Sequence, residues 1–426
     1  MMGALPFGIF AVLVLLSVPI AFALILAGAL ILVVGEGLPL VIVPQQIVAG
    51  MDSFPMLAVP LFILAGSIMD VGGISRRLVE LASALVGHLP GGLGQVVVVS
   101  EIFFSGVSGS TSADAAAIGG IMVPQLTSKG YSRARATSIV SAACAMGILI
   151  PPAIVMVIFG VMGNVSIGKL FVACIPPALL MAFGLMLQIG WQARRQNWPR
   201  DKRASGPTIR RAAMEAILPL FMIVVVLGGI RVGLFTPTEA AAVAVAYALT
   251  LAAVVYRAFS WKQFTESLVQ TSVVSGMVLL VVGAARLLSW VFAVTQVPQE
   301  LASMVMGMGG GQIVFLLFTI AVFLPLGAIL EGVPAVVLLT PILLPLAKQL
   351  GIDPVHYGAV VVATQGISVF MPPVGVSLLV ACSVGRVEPA AVSRHLWPYL
   401  ALMLLFTLLI AMLPEIVLFL PRLIGY

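Results

Sequence analysis

The sequence predicts an all-α polytopic membrane protein built from two related halves, and three observations carry that prediction. Of the 426 residues, 61% are apolar and only 8% are charged, with a mean hydropathy of +1.21; a soluble domain has roughly a quarter of its residues charged. Apolar stretches of about 20 residues, enough to cross a bilayer as helix, recur along the chain, and the short alternating segments of a β-barrel do not appear. Finally, Glu80-Leu81-Ala82-Ser83 returns as Glu300-Leu301-Ala302-Ser303. Pro124, Gly130 and Pro151-Pro152 return at one constant offset as Pro345, Gly351 and Pro372-Pro373.

The elements follow in order. Residues 6–33 have no basic leader and are too long for a signal core, so they read as a retained first span. A span at 54–71 precedes a short amphipathic segment, 73–88, suited to the interface. Residues 92–127 form two apolar arms too short for two comfortable crossings, which predicts a re-entrant hairpin; 132–162 is then a helix broken at Pro151-Pro152. A span at 166–191 completes a first half, 1–191, and the basic stretch 192–211 is the linker. The second half, 212–426, holds spans at 212–232, 236–257 and 270–295, then an interfacial segment at 297–308. It continues with a hairpin at 311–350, a broken helix at 354–385 and a last span at 389–415. Thr236-Pro237-Thr238-Glu239 has the order of an N-cap and first turn.

Charge sets the orientation. With Arg194, Arg195, Arg200, Lys202, Arg203, Arg210 and Arg211 of the linker in the cytoplasm, all but five of the 21 basic residues fall on that side. The exceptions are Lys169, Arg231, Arg286, Lys348 and Arg422. Between the span at 54–71 and its counterpart at 270–295 the chain crosses an odd number of times, so the repeats are inverted and their hairpins open from opposite sides. Inverted repeats interrupted by paired broken helices are the pattern of alternating-access transporters.

The first hairpin turns through Ser105-Gly106-Val107-Ser108-Gly109-Ser110-Thr111-Ser112, where glycines permit a tight turn and hydroxyls offer the oxygen ligands a hard cation wants. Small residues also serve close helix packing. At the breaks, prolines donate no N–H, so the carbonyls of Gly147, Ile148, Ser368 and Val369 are expected to lose helical partners and to line a polar site. Each new half-helix then points its positive end at the break. Asp114 reads first as a helix N-terminal cap; Glu331 and Gly332 form the second tip, where Glu331 could cap, gate or titrate. Glu101 and Arg286 stand inside apolar segments and are functional candidates for that reason; Arg286 could meet an anion, pair with an acid or snorkel.

Cys144, Cys174 and Cys382 lie in apolar segments as packing residues, and His88, His356 and His395 are too scattered for a metal site. The net charge of +6 belongs to membrane orientation and not to nucleic acid. With no phosphate loop, hydrolase elbow or metal-ligand cluster, neither ATP hydrolysis nor an enzyme is expected. A stand-alone Na⁺- or H⁺-coupled anion carrier of the same architecture is an alternative, and a channel a more distant one.

The assembled pattern resembles the large membrane subunit of the tripartite ATP-independent periplasmic (TRAP) transporters. The matching pieces are Gly233 to Ala242, Ser108 to Asp114, Gly147 to Pro152, Pro341 to Pro345, Gly351 to Gly358, and Pro372 to Gly375. The resemblance implies an elevator mechanism and Na⁺-driven uptake of a small organic anion such as sialic acid or a C4-dicarboxylate in a bacterial inner membrane. It also implies two partners, a small four-helix membrane subunit (Q type) and a periplasmic substrate-binding protein (P type), with Na⁺ as coupling ion and no other cofactor. By motif, one sodium site takes Ser105, Ser108, Gly147, Ile150 and Pro152; a second takes Gly327, Ser368, Met371 and Val374. The substrate falls to the tips: Ser110, Thr111, Ser112, Asp114, Glu331 and Gly332. The chain departs from the family pattern at Met371, where a Thr is usual, and at Ser368, Thr364 and Ala153, which weakens the second sodium site.

Overall fold

The computed structural model describes residues 4–34, 37–297, 299–300, 311–330 and 332–426, and every regular element among them is helical. Eight helices among the described residues are long and apolar enough to cross a membrane. Glu331 and residues 301–310, which include most of the expected second interfacial segment, lie outside the described residues.

The expected first span is two helices, α1 (Ala4–Leu15) and α2 (Ile20–Val34), because the chain breaks at Ser17, whose φ is +61°. A short helix not foreseen from the sequence, α3 (Ile42–Met51), follows. Next comes α4 (Ala58–Val71), entered through a 3₁₀ turn at Phe54–Leu57. The amphipathic segment is α5 (Ile74–Val86): Ile74, Leu78, Leu81 and Ala82 are buried, while Arg76 and Glu80 pair on the outer face at 3.1 Å.

The first hairpin is α6 (Gly92–Ser108) and α7 (Thr111–Ser128), joined through Gly109 and Ser110. Gly109 ends α6 in the left-handed region (φ +65°), which an L side chain rarely adopts. A Cβ there would also lie 2.9 Å from the Pro152 carbonyl. The broken helix follows as α8 (Arg133–Gly147) and α9 (Ile154–Gly163), and then α10 (Ile167–Gln196).

The linker is shorter than expected. Helix α10 runs on to Gln196 and α11 (Gly206–Arg231) starts at a Ser205 cap, leaving 197–205 non-helical. That loop docks on the base of the first hairpin: Lys129 meets Asp201 at 2.8 Å, and Trp198 packs on Tyr131 with centroids 4.8 Å apart.

Helix α12 (Pro237–Leu249) opens at the expected N-cap, Thr236, which forms a capping box with Glu239, each satisfying the other's backbone amide; a π turn at 250–255 extends it. Helix α13 (Trp261–Val294) begins before its apolar stretch because Ser260 and Gln263 form a second capping box. The second hairpin is α14 (Gln312–Leu330) and α15 (Gly332–Gln349), and the second broken helix is α16 (Pro354–Ser368) and α17 (Val376–Gly385). Helices α18 (Pro389–Met412) and α19 (Glu415–Leu423) close the chain. Both Pro-Pro peptides are cis. The first and second broken helices cross where Gly366 lies against the Ala145 carbonyl, so the two breaks share one core.

Candidate substrate and cation site

The tips and the breaks converge on one cavity of 690 Å³. Ser108 to Ala113 of the first hairpin and Gly332 to Pro334 of the second enter it from two directions. Ile148, Ile154, Val155 and Val369 reach it from the broken helices, and Ser67, Asp70, Gln270 and Thr271 face them from α4 and α13. Three helices begin on this wall: α7 at Thr111, α9 at Ile154 and α15 at Gly332. A helix N-terminus carries partial positive charge and unsatisfied N–H groups, so the cavity presents three anion-attracting ends together with four Ser or Thr hydroxyls from the first tip. Among its described lining residues Asp70 is the one charged side chain, hydrogen-bonded by Ser75 Oγ at 2.8 Å.

Beneath the first tip lies a denser polar cluster. Ser105 Oγ donates toward the Gly147 carbonyl at 2.8 Å and lies 2.9 Å from Asp114 Oδ2, all fully buried. The Glu101 carboxyl touches that of Asp114 and receives the Cys144 thiol at 3.5 Å. Gly147 is required here, because a Cβ would meet Glu101 Oε1 and come within 2.8 Å of Ser105 Oγ. Gly106 and Gly109 let the hairpin press on the break: a Cβ at Gly106 would lie 3.3 Å from the Pro151 carbonyl and 3.4 Å from the Ile150 side chain. The structure therefore gathers Ser105, Ser108, Gly147, Ile150 and Pro152 around one junction.

Asp114 differs from its expected role. It does not cap α7, whose N-cap is Ser110; its carboxyl turns inward to Ser105, Ser108 and Glu101. Ser110, Thr111 and Ser112 instead line the cavity, with Thr111 Oγ1 3.2 Å from Ser377 Oγ of α17.

The broken-helix carbonyls are also better satisfied than the proline rule implied. Gly147 O accepts from Ile150 N at 2.8 Å, Ser368 O from Met371 N at 3.0 Å, and Val369 O from Leu378 N at 3.4 Å. Tight turns absorb much of the loss that Pro imposes on a continuous helix.

In the second repeat Gly327 faces Ser368, whose hydroxyl also sits 3.0 Å from Gln365 Oε1. The arrangement exchanges the parts of the first, where the hydroxyl is on the hairpin and the glycine on the broken helix. Met371 is half-buried and Val374 is 46% exposed, so this second junction is more open than the first, where Pro151 and Pro152 are buried. Gly332 lines the cavity. Arg286 does not: it is exposed on α13 and packs beside Gly50 of α3.

Sequence reasoning missed the α13 side of the cavity. Ser267, Thr271 and Ser275 are buried at helical i, i+4 spacing along α13 with no hydrogen-bond partner, a polar stripe legible in an otherwise apolar span. The three cysteines are buried and unpaired, as expected of packing residues. Among the described residues no group of His, Cys, Asp and Glu is arranged to hold a resident metal.

Residues 7–416 match the family described as the tripartite ATP-independent periplasmic transporter, DctM component. The chain belongs to this family. It is 35% identical over 403 residues to the 2,3-diketo-L-gulonate TRAP transporter large permease protein YiaN of Escherichia coli, covering 94% of this chain and 95% of that one. It is 35% identical over 411 residues to the sialic acid TRAP transporter large permease protein SiaM of Vibrio cholerae, covering 96% of each. With the isethionate TRAP transporter permease protein DctMQ of Oleidesulfovibrio alaskensis it shares 38% identity over 97% of its length, which is 65% of that relative. In fold it is similar to the Alcanivorax borkumensis YdaH transporter, with a TM-score of 0.65 at 14% identity over 96% of this chain and 98% of that one. As a multi-span TRAP permease it belongs to a transporter class and not to an enzyme class.

Proposed function

We propose that this DctM-family chain is the membrane permease subunit of a secondary, Na⁺-coupled transporter that imports a small organic anion into a bacterial cell across the inner membrane. A periplasmic substrate-binding protein delivers the anion, and a small four-helix membrane subunit completes the system. The observation that carries this reading is the 690 Å³ cavity with three helix N-termini and the hydroxyls of the first tip on its wall. Its volume suits a metabolite-sized ligand. Relatives named for sialic acid, 2,3-diketo-L-gulonate and isethionate support a small organic acid as cargo.

In this reading the cation sits at the junction of Ser105 and Gly147, under the tip that touches substrate, so ion and anion complete one another's site. A second cation is assigned to the Gly327–Ser368 junction. The two halves are inverted repeats, the hairpins move with the broken helices as one elevator unit, and the 197–205 loop faces the cytoplasm. The test is uptake in proteoliposomes holding the chain, its small subunit and the binding protein. Uptake that requires an inward Na⁺ gradient and the binding protein supports the proposal. Uptake that follows only a proton gradient refutes the sodium coupling, and uptake by the chain alone refutes the tripartite assembly.

A further inference from the structure

The cluster beneath the first tip has more oxygen than hydrogen to satisfy it. Ser105 has one hydroxyl proton for two buried acceptors at bonding distance, the Gly147 carbonyl at 2.8 Å, which already accepts from Ile150 N, and Asp114 Oδ2 at 2.9 Å, and it can serve only one. Glu101 Oε1 and Asp114 Oδ1 are buried and meet no fixed donor, both residues being 0% exposed, and the two carboxyls lie within hydrogen-bonding reach of each other. Oε1 points at the broken helix, so close to Gly147 that a Cβ there would clash with it.

Among the described residues no side-chain cation is paired with these carboxyls. From α7 the Glu101 group faces Asp114, from α8 the Cys144 thiol, and from α4 Asp70 acts on Asp114. Helices α5, α10 and α11 keep their charged side chains at exposed or half-exposed positions. Two contacting carboxyls sealed in protein without a counter-charge are strongly unfavourable. An oxygen-seeking cation bound among these groups supplies the missing counter-charge.

We propose that Glu101 is a direct ligand of the coupling cation, so that the first site is a carboxylate-bearing site formed by Glu101, Asp114, Ser105 and the Gly147 carbonyl. This rests on the sodium coupling proposed above and adds to it a charged ligand contributed by the interior of the hairpin arm. Ligand charge count tunes cation affinity, so a site with two acids binds more tightly than one of hydroxyls and carbonyls alone.

The test measures ²²Na⁺ binding to the full chain purified with its small subunit, comparing wild type, Glu101→Gln, Glu101→Asp and the exposed control Glu80→Gln. Glu101→Gln keeps the shape and removes the charge, and its Na⁺ affinity is expected to fall by about tenfold or more. Glu101→Asp restores charge at a shorter reach and is expected to recover part of that loss with an altered Li⁺ to Na⁺ preference. In choline, Glu101→Gln should be no less heat-stable than wild type, while the stabilisation that Na⁺ confers on wild type is lost. The wild-type protein supplies a reading independent of any variant: its Na⁺-minus-choline infrared difference spectrum should contain a buried-carboxylate band. Unchanged Na⁺ affinity in Glu101→Gln, or absence of that band, overturns Glu101 as a ligand and leaves sodium coupling intact. A wild-type protein that binds no Na⁺ overturns the sodium coupling itself.

Discussion

Replacing Gly147 with Ala probes the geometry that joins hairpin to break. The added Cβ would clash with Glu101 Oε1 and stand 2.8 Å from Ser105 Oγ and 3.1 Å from Ser105 Cβ. Neither neighbour can retreat freely, because both are fully buried and Ser105 is held between Asp114 and the Gly147 carbonyl. Overpacking of this kind costs about 1–3 kcal/mol. Forcing Ser105 off the carbonyl adds about 0.5–1.5 kcal/mol. If roughly 1.4 kcal/mol of that total falls on the ion-bound state, Na⁺ affinity drops about tenfold. Gly120→Ala on the same hairpin is the opposing case, since a Cβ there meets nothing within 4 Å. It should gain roughly 0.5–1 kcal/mol from helix propensity alone. The assay pairs the thermal unfolding midpoint in detergent with Na⁺-driven uptake in proteoliposomes. Gly147→Ala should lower both, and Gly120→Ala should raise the midpoint and leave uptake unchanged. A Gly147→Ala protein with wild-type stability and uptake would refute the close approach on which the site depends.

At the second junction, Gly327→Ala drives its Cβ into the Ser368 hydroxyl and against Gln365 Oε1 and should cost about 1–3 kcal/mol, part of it recovered by adding Ser368→Gly; a double-mutant cycle on unfolding midpoints without any recovery contradicts the contact. Thr236→Ala removes the capping box of α12 and should lower stability by about 1 kcal/mol, read by thermal unfolding. At the docked loop, Trp198→Ala should destabilise by more than Asp201→Ala, since the indole packs on Tyr131 and under Arg135. Asp201→Ala removes a half-exposed ion pair worth at most about 1 kcal/mol, an effect that salt should erase.

Much of the fold was legible because it follows from local rules. The hairpin pairs, both broken helices, the amphipathic α5 and the Thr236 N-cap were legible from proline, glycine and capping order, whereas apolar length misled at the second hairpin, whose arms α14 and α15 were expected to be short and are each long and apolar enough to cross a membrane. The exceptions have equally local causes: Ser17 splits the first span, and caps at Ser205 and Ser260 start α11 and α13 earlier than their apolar stretches suggest. The site was legible in part. The serine-rich tip and the two breaks do meet, but turns close the Gly147 and Ser368 carbonyls, Leu378 N reaches that of Val369, and Asp114 faces inward where a cap was expected.

The sequence by itself determined most of the helical segments, the two Pro-Pro breaks and which residues stand at each tip, because those choices depend on neighbours a few positions away. Only the tertiary structure decided what each buried polar group meets. It brought Glu101 against Asp114, left Arg286 outside beside Gly50, and aimed the N-termini of α7, α9 and α15 at one cavity. The physical reason is that a buried charge takes its meaning from groups supplied by other helices. Glu101 and Gly147 are far apart in the chain, and only the packing of α6 on α8 puts a carboxylate where a glycine's side chain would have been.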